Sequence, residues 1–140
     1  MPSPAEPPAG SDPSPRPFRG FFSPRTTPVP DNFFDEVLPE LLGAEVKVLL
    51  YIFRRTFGWK KDRDNISLSQ MVSGITRRNG TVLDRGTGLS KASVATALAS
   101  LASKGMVKKT VRSNPETGHQ PTTYEPVLAS EGPLVQKLDK

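Results

Sequence analysis

Apolar side chains fall at helical spacing in three stretches of the chain and at strand-like spacing towards its C-terminal part. Between Ala44 and Phe57, the residues Val46, Leu49, Leu50, Phe53 and Phe57 follow i, i+3, i+4, i+7 and i+11. Val48 and Ile52 widen the stripe, so the pattern predicts a helix buried over more than half its circumference, stopped at Gly58. Glu45 near its start and Arg54 and Arg55 near its end suit the helix dipole. Ahead of it, Phe33, Phe34 and Val37 form an apolar set, predicted as a short core helix capped by Asp31 and ended near Pro39. After the charged loop Trp59–Asp64, Asn65–Ser67 reads as a short strand. Ser67 then caps a short helix carrying Leu68, Met71 and Val72, which Gly74 ends.

Asn79-Gly80, set among β-favouring residues between Ile75 and Leu83, predicts a hairpin. The turn Asp84–Gly88 leads to a third helix, N-capped by Ser90, with Val94, Leu98 and Leu101 on one face and Gly105 as its stop. Met106–Arg112 reads as a strand with Val107 and Val111 on one side. Asn114–Gly118 is a turn cluster. Pro121–Val127 reads as the return strand, expected at a sheet edge because proline cannot donate to a ladder, with Tyr124 and Val127 in the core. Helix, short helix, turn, helix and hairpin make a mainly α fold with a small β wing, the order of a winged helix–turn–helix.

Composition sets the flanks. Ten of the fifteen prolines lie in residues 1–30, so a disordered Pro-rich arm is expected over 1–25. Phe18, Phe21 and Phe22, beside Arg16 and Arg19, interrupt it as a candidate docking motif. The domain is expected over 26–128, with a flexible tail over 129–140.

The helix from Ser90 carries most of the functional signal. Opposite its apolar stripe it holds Ala92, Ser93, Thr96, Ala99, Ser100 and Ser103, and no acid occurs between Ser90 and Lys109. A solvated face ordinarily carries Glu and Lys; a small, hydroxylated, acid-free face can lie against a negative surface such as the major groove. The net charge is +5, and residues 59–113 hold eleven bases against three acids. A positive field concentrated around one helix is the footprint of nucleic-acid binding. Lys91, Ala92, Ser93 and Thr96, at the start of that helix, are the candidates for base readout. Arg77, Arg78, Arg85, Ser100, Lys104, Lys108, Lys109 and Arg112 are the candidates for phosphate contact.

Other chemistry finds little footing. The chain has no cysteine and one histidine, so thiol catalysis, disulfides and a Cys or His metal cluster are excluded. His119 is expected to be solvated at a turn. Asp31, Asp35, Glu36, Glu40 and Glu45 read as caps and dipole partners rather than a catalytic pair. Asp84-Arg85-Gly86-Thr87-Gly88 is glycine-rich but lacks the lysine of a phosphate-binding loop. No enzymatic activity and no cofactor are expected. No apolar run reaches membrane-spanning length and no leader-like apolar region opens the chain, so a cytoplasmic, nucleoid-associated protein without membrane contact is expected.

The span from about Val29 to Val111 resembles the N-terminal domain of phage lambda O-type replication proteins. The resemblance rests on Val29-Pro30-Asp31-Asn32-Phe33-Phe34-Asp35-Glu36 and on Gly43 to Gly58, read GAEVKVLLYIFRRTFG. It continues through Ile66-Ser67-Leu68-Ser69-Gln70 and Asp84-Arg85-Gly86-Thr87-Gly88-Leu89-Ser90. It implies a winged-helix domain that binds origin repeats in double-stranded DNA and helps load a replicative helicase, with the helicase or its loader as protein partner. Two copies on repeated sites fit that role. A winged-helix transcriptional regulator is the alternative within DNA binding, and a winged-helix protein–protein module is the alternative outside it.

Overall fold

The structure is a computed structural model and describes residues 17–111, 113–114, 118–119 and 122–129. Residues 1–16 of the expected arm, Arg112, the turn residues 115–117, residues 120–121 at the start of the expected return strand and the tail from Ser130 lie outside the described residues, as do the side chains at 113, 114, 118 and 119. Residues 17–30 form no helix or strand, and Phe18, Phe21 and Phe22 are exposed.

The chain enters its core through a π-helical turn, Phe33–Val37, and a 3-10 turn, Leu38–Glu40. Asp31 does not cap: the turn opens with the Phe33 N–H donating to the Pro30 carbonyl at 2.9 Å. Phe33 is buried edge-on against Phe53, 5.9 Å between centroids, whereas Phe34 faces outward, a correction to its expected core place. Helix α1 (Gly43–Arg55) buries Val48, Leu49, Tyr51, Ile52 and Phe53. Its N-cap, Leu42, has no side-chain acceptor, so the Leu42 N–H donates to the Glu45 carboxylate instead, at 2.8 Å.

Strand β1 (Asp64–Asn65) precedes α2 (Leu68–Ser73). The Ser67 hydroxyl accepts from the Gln70 N–H at 3.1 Å, and the Gln70 side chain accepts from the Ser67 N–H at 3.3 Å, a reciprocal cap. Strands β2 (Ile75–Thr76) and β3 (Val82–Asp84) pair antiparallel around the Asn79-Gly80 turn. Helix α3 (Lys91–Ser103) follows, then β4 (Val107–Thr110), the short pair β5 (Ser113–Asn114) and β6 (Gly118–His119), and β7 (Thr123–Pro126).

Helices α1, α2 and α3 enclose one core with Ile66, Met71, Val94, Leu98, Leu101, Val107 and Tyr124. It is backed by an antiparallel sheet of order β1-β7-β4; β2-β3 and β5-β6 stand as separate pairs. Among the described residues the expected helical fold with a small β part is a mixed α/β fold with three small antiparallel sheets.

The expected edge position of the last strand is corrected too: β7 is central. Tyr124 and Thr123 pair with Asp64 and Asn65, while residues 123–126 pair with 110–107 of β4. Pro126 is tolerated because it lies two residues past Tyr124, which pairs with Asp64, the first residue of β1, so no β1 residue stands opposite it; the neighbouring Val127 N–H donates to the Met106 carbonyl just before β4 at 3.0 Å. Val127, expected in the core, lies beyond the paired residues and is exposed, as is Val111.

Candidate nucleic-acid interface

Helix α3 starts as its sequence dictates. The Ser90 hydroxyl accepts from the Ser93 N–H at 3.1 Å and lies 3.1 Å from the Ser93 hydroxyl. Val94, Ala97, Leu98 and Leu101 are buried against α1 and α2. The opposite side exposes Lys91, Ala92, Ala95, Thr96, Ala99 and Ser103. Of the four candidates for base readout, Lys91, Ala92 and Thr96 are on this outer face. Ser93 is half-buried, turned towards its own cap. Ala95 and Ala99 share the face and were not among the candidates; their spacing of three and seven from Ala92 is the signal that places them there. Ala92, Ser93 and Thr96 also line a shallow groove whose other wall is Leu42 and Ala44 at the start of α1.

The basic candidates divide. Ser100 and Lys104 are drawn inward by α1: the Ser100 hydroxyl donates to Glu45, and Lys104 Nζ donates to both its carboxylate oxygens at 3.1 Å. Both side chains are thus engaged within the fold, because α3 packs across the first turn of α1, where Glu45 is 2 % exposed. The Ser100 hydroxyl, the Leu42 N–H and Lys104 hold the Glu45 carboxyl at a pKa of about 2, against an ordinary 4.5 and against the opposing effect of burial.

Lys108 and Lys109 are exposed neighbours on β4, so they point to opposite faces. Lys109 shares the face of buried Val107 and rims a cleft floored by Ala95, Leu98 and Ala99 of α3, with Ile66, Ser67 and Leu68 opposite. Lys109 thus stands beside α3, and Lys108 does not. Arg77 and Arg78 are exposed in the β2–β3 turn, and Arg85 is exposed at its base. Arg112 lies outside the described residues.

A polar network fixes the lead into α3. Arg55, buried at the end of α1, donates to Asp64 through Nε at 3.0 Å, to the Asn65 carbonyl at 3.1 Å and to Gln70 Oε1 at 3.1 Å. It also donates to the Tyr51 hydroxyl at 3.3 Å, which in turn donates to the Asp84 carboxylate at 3.0 and 3.1 Å. Burial raises the Tyr51 pKa. Asp84 further accepts from the Gly86 N–H at 2.9 Å, and the Thr87 hydroxyl donates to the Met71 carbonyl at 2.7 Å. Gly74 and Gly86 meet backbone to backbone: a Cβ on Gly86 (φ +74°) would lie 2.6 Å from the Gly74 nitrogen, and one on Gly74 (φ +90°) 2.1 Å from the Asp84 carbonyl oxygen. No side chain fits at either position. The local sequence pattern gives Arg55 a place at the helix dipole and Asp84 a place in a turn. Asp64, Asn65 and Gln70 lie 9, 10 and 15 residues from Arg55, and Tyr51 lies 33 residues from Asp84, beyond any local pattern.

The family model of bacteriophage replication protein O matches residues 27–119, well over half of the chain. The chain belongs to the bacteriophage replication protein O family. No curated protein and no solved structure matches it. In this replication protein O chain, the matched span takes in every candidate base and phosphate contact and ends before β7. No described helix is long and apolar enough to cross a membrane. Among the described residues, no group of three or more His, Asp or Glu is placed to hold a metal ion.

Proposed function

We propose that the chain is a double-stranded DNA-binding replication initiator or accessory factor, without catalytic activity, that acts through a winged helix–turn–helix. The observation that carries this reading is α3 itself: a well-capped helix whose outer face is small and acid-free, flanked by Lys91 at its start, Lys109 on β4 and the arginines of the β2–β3 turn. The element order supports the winged helix: three helices, β1 between the first and second, and β4 and β7 after the third, joined as β1-β7-β4. In this reading α3 enters the major groove. Lys91 reaches a guanine edge or a phosphate, Thr96 bonds a base edge, and Ala92 meets a thymine methyl. Lys109 sits over the backbone at the side of the groove. Family membership supports repeated origin sites as the target and a replicative helicase or its loader as the protein partner.

The test is selection of duplexes from a random-sequence pool by the full chain, followed by titration of the selected duplex. Specific binding is expected, with Thr96→Ala relaxing preference at one or two base positions at about 1–3 kcal/mol for a direct contact. Binding no tighter to any selected duplex than to heparin or single-stranded DNA would remove the reading.

A further inference from the structure

The β2–β3 hairpin stands apart from the rest of the fold. It is a two-stranded sheet, with Ile75 opposite Asp84 and Thr76 opposite Val82, and among the described residues it pairs with no third strand. An isolated hairpin of this size is marginal in water. This one is held by its base. Asp84 is bonded to Tyr51 of α1 and to the Gly86 N–H, and Gly74 and Gly86 lock the hairpin's two ends together. Beyond the base it buries almost nothing. Val82 is 55 % and Leu83 43 % exposed, and Arg77 and Arg78 are exposed in the turn, which the Arg77 N–H closes on the Thr81 carbonyl at 2.8 Å. Among the described residues neither arginine has an ion-pair partner. Asp84 is the sole acid between Asn65 and Pro115, and its charge is turned inward to Tyr51.

The hairpin therefore offers two guanidinium groups and two aliphatic side chains on a firm base, with no acid among them, six residues ahead of the Ser90 cap. Resting on the DNA-binding reading above, we propose that it is a second DNA-reading element, which enters the minor groove beside the major-groove segment taken by α3. Three features support this. The charge is complementary to a polyanion, and along the chain the next bases, Arg85 and Lys91, lead into α3 without an exposed acid between. Arginine joined to an aliphatic wedge is the combination that suits a minor groove: the arginine follows its negative potential, and the aliphatic groups press on sugars and base steps. The reach is of the right order. Four residues from Asp84 to the tip span about 13 Å at roughly 3.3 Å per residue, against about 17 Å for the half turn that separates neighbouring major and minor grooves.

The experiment uses the full chain on the duplex it selects from a random pool, with Arg77→Gln/Arg78→Gln and Val82→Thr/Leu83→Thr as variants. Both pairs lie outside the core, and a melting curve checks that each variant stays folded. Hydroxyl-radical footprinting of wild type is expected to show a protected minor-groove patch flanking the α3 footprint. The arginine pair is expected to lose that patch, bind at least about tenfold more weakly and lower the slope of log K against log salt by about 1.8, at about 0.9 per contact. Replacing G·C pairs in the patch by inosine·C, which alters the minor groove alone, is expected to change binding by wild type and not by the arginine variant. The Val82/Leu83 pair is expected to shrink the patch without changing the salt slope. If wild type binds the duplex while the arginine variant keeps both patch and slope, the hairpin proposal is overturned, the exposed pair is left for a protein partner, and the α3 reading stands. If wild type binds no duplex specifically, both fall.

Discussion

Replacing Glu45 by glutamine tests whether a single carboxylate ties α3 to α1. The carboxylate accepts from Ser100, from the Leu42 N–H and from Lys104, and its pKa is held at about 2 instead of 4.5. The folded-state value is below the unfolded one, so the stabilisation is complete above about pH 5 and is lost as pH falls through 4.5 towards 2. Taken at full weight the shift corresponds to about 3 kcal/mol. Glu45 has almost no contact with water, yet it lies just beneath the surface, and its Lys104 partner is 38 % exposed. Solvent screening at such a site cuts the figure to about 1.5 kcal/mol. Glutamine keeps the size and the acceptor for Leu42, and Lys104 is free to turn to water, so no charge is left buried. Glu45→Gln is therefore expected to cost about 1.5 kcal/mol at pH 7 and about 0.5 kcal/mol at pH 3, where wild type has lost most of the same contribution. Urea titrations of both proteins at pH 7, 5, 4 and 3 measure this. The two proteins differ at this one carboxylate, so the difference between them isolates Glu45. A deficit that is the same at pH 7 and pH 3, or below about 0.5 kcal/mol at pH 7, would refute the account.

Three further outcomes follow from contacts described above. Arg55→Lys keeps the charge but loses the fork that reaches Asp64, Asn65, Gln70 and Tyr51 together, and is expected to lower stability by about 1–3 kcal/mol in urea unfolding; a change under about 0.5 kcal/mol contradicts a structural role for the network. Gly86→Ala must push a Cβ into the backbone of Gly74 and Ser73, whereas at Gly88 (φ +78°) the space is open. The first is expected to cost about 3 kcal/mol or more and the second about 1 kcal/mol, and equal melting points would show that the close approach is absent. Ser90→Ala removes the α3 cap and is expected to cost about 1 kcal/mol of stability, with no change in thermal midpoint as the contrary result.

What could be read from the sequence was what neighbours in the chain decide. Ser67 and Ser90 cap because their hydroxyls reach an N–H three residues on, and Asn79-Gly80 turns because those two residues tolerate the turn backbone. The three helical stripes lie within a turn or two of themselves, so periodicity finds them. What escaped was set by partners far along the chain. Ser100 and Lys104 looked like an outward polar fringe of α3, because nothing local says that Glu45, 55 and 59 residues earlier, lies against them. Arg55 looked like a dipole partner for the same reason. Pro126 made the last strand look like an edge, since the missing donor is visible in the sequence but the start of β1 only at Asp64 is not. At the candidate interface, Lys91, Ala92 and Thr96 were legible as one outward face. The separation of Lys109 from Lys108 needed the sheet register.

The central place of β7 bears on how much chain the domain needs. Among the described residues β1 and β4 do not pair with each other; each joins the sheet through β7, which arrives some 58 residues after β1 by the Thr123–Asn65 contact. A fragment cut at residue 119, where the family match stops, would retain all three helices and every candidate DNA contact. It would also have lost the strand that joins the sheet's two halves, together with Tyr124 from the core. During synthesis the same dependence holds in time: the helices can gather early, but the sheet behind them cannot close until Pro126 has been made.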